Sequence, residues 1–337
     1  MSESSRPPGM MDVARLAGVS HQTVSRVLND AESVRPATRE KVRRAITELG
    51  YRRNLSARAL VTNRTRVIGV VVAQGGYYGP GSTSSAIQTA ARGRGYATIV
   101  ASLRDGSPGE LAAVVDMLID HGVEGITAIA PQLGFVEGLR SLARTVPIVV
   151  IADGFEVSRG MYAVSVDQRH GARLATQHLI GLGHRRIVHI SGSSDWFDAR
   201  ERVAGWRAAL EDTGLEVPEV LLGDWSAESG YAMGGRLVDQ GLPDAVFCSN
   251  DLMALGLLSS LADLGIRVPE DISLVGFDDI DGSAYFQPPL TTVRQPFEEL
   301  GKSCVGVLLR AIEGQEAASQ RIRPSLLVRR SSRRRQD

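Results

Sequence analysis

Two groups of residues in this chain have the types and spacing to do chemistry. The first is the run Ser20-His21-Gln22-Thr23-Val24-Ser25-Arg26-Val27-Leu28-Asn29. Ser20 is a natural N-cap, so a helix starts at His21. That helix sets His21, Gln22 and Arg26 along one exposed edge and turns Val24, Val27 and Leu28 to the other face. Glutamine and arginine are the side chains that hydrogen-bond adenine and guanine edges in a major groove. The second group is Asp153, Asn250 and Asp278, each placed just beyond or at the end of a β-branched run. Ligands of open α/β sheets bind outside the carboxyl ends of the strands. Carboxylates accept from vicinal hydroxyls, and an asparagine both donates and accepts, which suits a polyol. Trp225, in Gly223-Asp224-Trp225-Ser226-Ala227, adds an indole face for the apolar side of a pyranose. The competing reading of the Asp and Asn residues is helix N-capping, and that of Trp225 is a ring packed at a loop.

The elements that must position these groups are legible in outline. Residues 11–49 carry no strand signal and predict three short helices. Residues 11–17 are stopped by Gly18, residues 21–29 follow, and Thr38-Arg39-Glu40-Lys41 opens a third with Val42, Ile46 and Leu49 on one side, ended by Gly50. That is a helix-turn-helix unit. A polar stretch, 51–66, follows, and its one helix-competent segment, 54–60, is too short to be stable alone. From Val67 the pattern alternates between short β-branched runs and amphipathic helices. Strands are expected at 67–73, 97–101, 125–130, 148–151, 186–190, 220–222, 245–248 and 272–276. Strands separated by helices specify parallel α/β sheets, and eight of them fit two doubly wound subdomains with a break near Val166. The expected organisation is a head at 1–50, a hinge at 51–66, a first lobe at 67–165 plus 297–323, and a second at 166–296 plus 324–337.

Composition narrows the function. The chain has 337 residues, of which 43% are hydrophobic and 23% charged, as expected of two or three packed domains and not of wholesale disorder. No apolar run approaches the ~18 residues of a membrane span, and MSESSRPPGM has no apolar stretch to act as a signal peptide. A cytoplasmic protein without a membrane partner is expected. The net charge of zero hides an asymmetry: residues 1–66 carry +7 and the remainder −7. A basic head on an acidic body points to nucleic acid at one end only. The two cysteines, Cys248 and Cys304, form no disulfide framework or metal spacing, and His178, His184 and His189 are spread over a helix, a loop and a strand. Gly93-Arg94-Gly95 is no dinucleotide fingerprint, and neither a G-x-S-x-G nor a P-loop occurs. No enzyme, cofactor or metal is expected.

The head, from Asp12-Val13-Ala14-Arg15-Leu16-Ala17-Gly18-Val19 through Asn29, resembles the helix-turn-helix of the lactose-repressor (LacI) family. Ser33-Val34-Arg35-Pro36-Ala37-Thr38-Arg39-Glu40-Lys41-Val42 and Leu49-Gly50-Tyr51 continue the match. The resemblance implies that Ser20, His21, Gln22, Thr23, Ser25, Arg26, Asn29, Thr38 and Arg39 face DNA. It also implies a minor-groove hinge helix with Asn54, Ala57 and Leu60, Leu60 wedging between base pairs. Two positions depart from the pattern: Arg53 stands where the family commonly has proline, and Gly9 replaces its usual first-cap threonine.

The body resembles the same family along its length, which implies the two-lobed sugar-binding fold of periplasmic receptors. Ala199-Arg200-Glu201-Arg202-Val203-Ala204-Gly205-Trp206 matches the stretch that supplies an effector-clamping arginine, which falls on Arg202. Cys248-Ser249-Asn250-Asp251, Asp271 through Asp279, and Pro289-Leu290-Thr291-Thr292-Val293-Arg294-Gln295 match the effector turn, a strand-end carboxylate and the crossover back. Residues 223–230 resemble the lactose-repressor branch, where the tryptophan stacks on galactose. The first-lobe lining, with Tyr77 and Tyr78, departs from that branch. The implied protein is a homodimeric repressor released from a pseudo-palindromic operator by a sugar held by Tyr77, Asp153, Arg202, Trp225, Asn250 and Asp278, with a galactoside as leading candidate. Alternatives are a purine, a phosphorylated sugar or a protein corepressor as effector, and a sugar receptor that binds no DNA. Asp153, Asp278 and Asp279 favour a neutral polyol over a phosphate. The tail 329–337 lacks the leucine heptads of tetrameric members, so a dimer is expected.

Overall fold

The structure is a computed structural model and describes residues 8–29, 33–52, 59, 62, 64–73, 76–104, 107–129, 132–135, 138–140, 143 and 145–335. The chain divides into two units, Met1–Thr65 and Arg66–Asp337. In the first, α1 (Met10–Ala17), α2 (His21–Leu28) and α3 (Pro36–Leu49) pack on one small core. Val13, Val24, Val27, Val42 and Ala45 fill it, with Tyr51 closing it after the last helix. Each boundary has a local cause. Gly18 takes the left-handed conformation at φ 64°, turning the chain between α1 and α2. The Ser20 side chain accepts the Thr23 N–H at 3.2 Å and starts α2. Helix α3 opens at Pro36, two residues before the expected Thr38, because proline's fixed φ suits a first helical turn. At the first cap Gly9 has no side chain to offer. Its N–H instead donates to the Asp12 carboxylate at 2.8 Å, so the contact is made from the other partner. The hinge residues Arg53, Asn54, Ala57 and Leu60 lie outside the described residues.

The second unit holds two six-stranded sheets among the described residues. The first has the order β11-β5-β4-β3-β1-β2, with β1 (Val67–Ala73), β2 (Ala97–Leu103), β3 (Ile126–Ile129), β4 (Ile148–Ile151), β5 (Met161–Val166) and β11 (Gln320–Ile322). The second has the order β12-β10-β9-β8-β6-β7, with β6 (Ile187–Ser191), β7 (Leu221–Leu222), β8 (Ala245–Cys248), β9 (Ser273–Asp278), β10 (Thr291–Arg294) and β12 (Ser325–Leu327). Every pairing is parallel except β10 with β12. Helices α4 (Tyr78–Gly93), α5 (Pro108–Asp120) and α10 (Phe297–Ile312) pack against the first sheet's side. Helices α6 (Gln168–Gly181), α7 (Phe197–Glu211), α8 (Ala227–Asp239) and α9 (Asp251–Asp263) serve the second. All eight expected strands are present, with ends shifted by a few residues. Strands β5, β10, β11 and β12 were not expected. Strands β11 and β12 are three residues long, while Thr291-Thr292-Val293-Arg294 has only one apolar residue to announce it.

The chain passes between the sheets three times: after β5, after β10 and after β11. The first lobe is thus completed by α10 and β11, and the second by β12, far along the sequence. This places Gln168 and Gln295 at two of the crossings, beside the ends of β5 and β10. The Asn-Asp turn after β8 is held by close helix packing. A Cβ on Gly256 would overlap the Ala227 carbonyl, and one on Gly230 the Met253 carbonyl, so α8 and α9 touch backbone to backbone. Gly256→Ala should therefore cost about 1–3 kcal/mol or more, as overpacking does, read as a lower urea midpoint at unchanged slope.

Candidate functional site

The head presents one candidate surface. On α2, His21, Gln22 and Arg26 are exposed, Thr23 and Ser25 are half-buried, and Val24 and Val27 are inside. Gln22 and Arg26 are one turn apart on the same edge, the spacing at which two side chains reach neighbouring base edges. Ser20 is occupied as the cap, its hydroxyl also 2.9 Å from that of Thr23. Asn29 ends the helix with its N–H on the Ser25 and Arg26 carbonyls. Thr38 and Arg39 lie half-buried in the first turn of α3.

In the body, a cavity opens between the carboxyl ends of the two sheets. Tyr77, Tyr78 and Phe297 line it from the first lobe; Arg202, Trp225, Asn250 and Asp278 line it from the second. The polar floor is a closed ring of four buried side chains. Arg202 Nε donates to Gln168 Oε1 at 2.9 Å, and Gln168 Nε2 donates to Gln295 Oε1 at 3.0 Å. Gln295 Nε2 donates to Asp278 Oδ1 at 2.6 Å, and that oxygen lies 3.8 Å from Arg202. Arg202 also donates to the Ser249 carbonyl, and its guanidinium lies 3.9 Å from the centre of the Phe277 ring and 5.5 Å from that of Trp225.

Burial sets the electrostatics. It pushes the Asp278 carboxyl up to about 6, against the opposing pull of Arg202 and the Gln295 amide. It does the same to Asp198, which also lines the cavity, against Arg202 and the Asp153 N–H. Asp251, behind the wall, is pushed up to about 8 by burial and accepts from Thr292 Oγ1 at 2.6 Å and the Ile280 N–H at 2.9 Å. Asp278 itself sits at φ 107°, a strained conformation held by its place at the end of β9.

The sequence-selected residues divide unevenly. Tyr77, Arg202, Trp225, Asn250 and Asp278 come together around one cavity. Asn250 does two things at once: its Oδ1 caps α9 through the Met253 N–H at 2.9 Å, and its Nδ2 donates to the Trp225 carbonyl at 2.9 Å. Asp153 does not line the cavity. It is 1% exposed, pairs with Arg321 at 2.7 Å, and accepts from Ser165 Oγ at 3.3 Å and the Gln168 N–H at 2.9 Å, so its oxygens are engaged behind the cavity wall. Asp198 lines the cavity in its stead. Gln168, Trp196 and the ring's Gln295 also line the cavity, though the sequence does not single them out. Asp198 was within reach, since it lies one helical turn before Arg202 and so shares its face. Nothing local marks Gln168, whose partners are all distant in sequence.

Comparison with known proteins agrees with both halves. Residues 9–54 match the model of the bacterial regulatory proteins of the lacI family, and residues 176–333 that of the periplasmic binding protein-like domain. The HTH-type transcriptional repressor PurR of Vibrio atlanticus (strain LGP32) is 36% identical over 311 residues, covering 90% of this chain and 92% of its own. The lac repressor dimer bound to operator and the anti-inducer ONPF superposes with a TM-score of 0.87 at 32% identity, over 97% of this chain and 100% of that one. The transcriptional regulator CelR–cellobiose complex does so with 0.73 at 35%, over 96% and 99%. The chain belongs to the lacI family of bacterial regulatory proteins, DNA-binding transcriptional repressors with a two-lobed periplasmic-binding-like core that takes a small-molecule effector.

Proposed function

We propose that the effector of this repressor is a neutral pyranoside, with a galactoside as the leading candidate, and that its binding in the cleft releases a homodimer from a pseudo-palindromic operator. One observation carries the reading: the cleft offers two carboxylates, Asp198 and Asp278, three amides, Gln168, Asn250 and Gln295, and one carboxylate-paired arginine beside aromatic rings. A phosphorylated sugar would bring its charge to two acids and a single, already engaged cation. Sugar hydroxyls donate to those carboxylates, and Arg202 and the amides exchange their ring bonds for bonds to the ligand. In this reading the lobes divide at the three crossings, near 165/166, 296/297 and 323/324, after a head at 1–50 and a hinge at 51–66. Gln22 and Arg26 read bases, His21, Thr23, Ser25, Asn29, Thr38 and Arg39 support them at the backbone, and Asn54, Ala57 and Leu60 act in the minor groove. The protein acts as a regulator rather than an enzyme, in the cytoplasm. No helix among the described residues is long and apolar enough to cross a membrane.

A thermal-shift panel tests the effector class, because a ligand that binds only the folded state raises the midpoint. Lactose, methyl β-galactoside or cellobiose should raise it, and glucose 6-phosphate should not. A rise with hypoxanthine or guanine alone would replace the pyranoside reading with a purine.

Two further outcomes follow. Gln22→Ala and Arg26→Ala should each relax base preference by about 1–3 kcal/mol per contact, whereas Arg39→Ala weakens all sequences alike. Titration of full-length protein against operator variants checks this, and unchanged specificity in the double variant would refute the assignment. The second outcome concerns pH. Asp198 and Asp278, held near 6, are mostly protonated at about pH 5 and mostly ionised at about pH 7. An ionised carboxylate is the stronger acceptor, so sugar affinity by calorimetry should rise several-fold over that interval and flatten in Asp278→Asn. The same raised values make the folded state hold protons that the unfolded chain has released. Their contribution to stability therefore falls as pH rises from about 4 to 6, so a rise in affinity there cannot come from better folding.

A further inference from the structure

The loop joining β6 to α7, residues 192–196, and the first turn of α7 belong by sequence to the second lobe yet touch the first. Gln132 and Trp196 form an antiparallel bridge, and the Leu133 N–H donates to the Asp195 carbonyl at 3.0 Å. The Asp153 N–H donates to Asp198 Oδ1 at 2.9 Å. Between these points Phe197 packs on the first-lobe core, edge to face with Phe155 at 5.6 Å. Trp196 stands between the lobes, its ring 5.6 Å from that of Tyr77 and 5.7 Å from that of Trp225.

This arrangement bears on how a ring can use Trp225. One face of its indole lies against Gly192, where any Cβ would overlap three atoms of the six-membered ring. Trp225 and Trp196 are only 6% and 5% exposed, and Trp225 Nε1 is buried without a hydrogen-bond acceptor. Trp196 and Trp225 meet edge to face, with 62° between their planes and 5.7 Å between their centres, so they are in contact and no pyranose fits between them. A sugar ring that enters between the two indoles has to move Trp196, and its oxygens supply the acceptor that Nε1 lacks.

We propose that Trp196 is the gate that sets ring specificity in this cleft, and that residues 192–198 are an arm fastening the two lobes. A pyranoside displaces Trp196 from Trp225 and Tyr77, and the displaced residue draws Phe197 and Asp198 off the first lobe. Ring occupancy is thereby converted into loss of the bridge at Gln132. An open-chain polyol can satisfy Asp278 without covering Trp225, and it leaves the arm in place. The proposal rests on the pyranoside reading above and adds to it the residue that senses the ring.

The test is a reversible lock in the full chain, Leu133→Cys with Asp195→Cys, which face each other across the bridge. The native Cys248 and Cys304 are fully buried and do not compete. Reduced, the variant should bind lactose, methyl β-galactoside or cellobiose as the parent does in calorimetry. Oxidised, it should bind the same sugar weaker by about tenfold or more, and re-reduction should restore binding, which rules out misfolding. Equal or tighter binding in the oxidised state overturns the gate. Galactitol binding as tightly as the pyranosides overturns the ring selectivity. If no sugar binds the parent, the pyranoside reading fails, and the arm is judged by hydrogen exchange. The amides of Leu133 and Asp153 should then exchange faster than those within β6, and protection as deep as that of β6 overturns the arm.

Discussion

A buried guanidinium organises the body of this protein. Taking Arg202 out of water carries a cost of several kcal/mol unless its donors and charge are matched, and the surroundings are arranged to match them. A glutamine from one crossing, a backbone carbonyl from the Ser249 turn and a carboxylate from the end of β9 converge on it, with the Phe277 face beneath. Each partner comes from a different element, so the position of Arg202 fixes where α6 begins and where β8 and β9 end relative to α7. The strained backbone of Asp278 and the raised carboxylates around it are tolerated because the network over-determines them. Arg202 already has protein partners, so a ligand can engage it only by exchange. That makes the cleft a device for comparing two sets of hydrogen bonds, which is what a ligand-responsive equilibrium requires.

The exchange reaches the crossings between the lobes because Gln168 and Gln295 are both members of the ring and neighbours of those crossings. A hydroxyl that takes Asp278 from Gln295, or Arg202 from Gln168, loosens a group that sits where the chain changes lobes. Distance is covered by two amides rather than by a long pathway, and both are nearly fully buried, so they lack water as an alternative partner.

Much of this was legible in the sequence, for identifiable reasons. The head is a local structure: Ser20, Gly18 and Gly50 set its boundaries from within a few residues, and valines at helical spacing set its core. The carboxyl-end positions of Asn250 and Asp278 were readable because β8 and the body of β9 are short apolar runs, Ala-Val-Phe-Cys and Leu-Val-Gly-Phe, bounded by polar residues. Illegible were the features made by tertiary pairing. Strands β11 and β12 are edge strands whose identity comes from their partners. Gln168 looks like any polar residue opening a helix. Asp153 shows the converse: its place after β4 is the one expected of a ligand contact, and Arg321, far along the chain, pairs with it there. A local pattern located the right end of the strand and could not tell which carboxylate another segment would neutralise.

The three crossings have a consequence for how the protein is made. The head is contiguous in sequence and has its own core, so it is complete once its first several dozen residues have left the ribosome. The first lobe is not: α10, which packs on α4, and β11, which extends its sheet, are synthesised only after almost the whole of the second lobe. During translation a DNA-reading head therefore exists while the first lobe still waits for a helix and an edge strand. A nascent or truncated chain carries the part that finds DNA without the part that responds to a ligand. Proteolytic removal of unfinished chains then protects regulation as well as solubility.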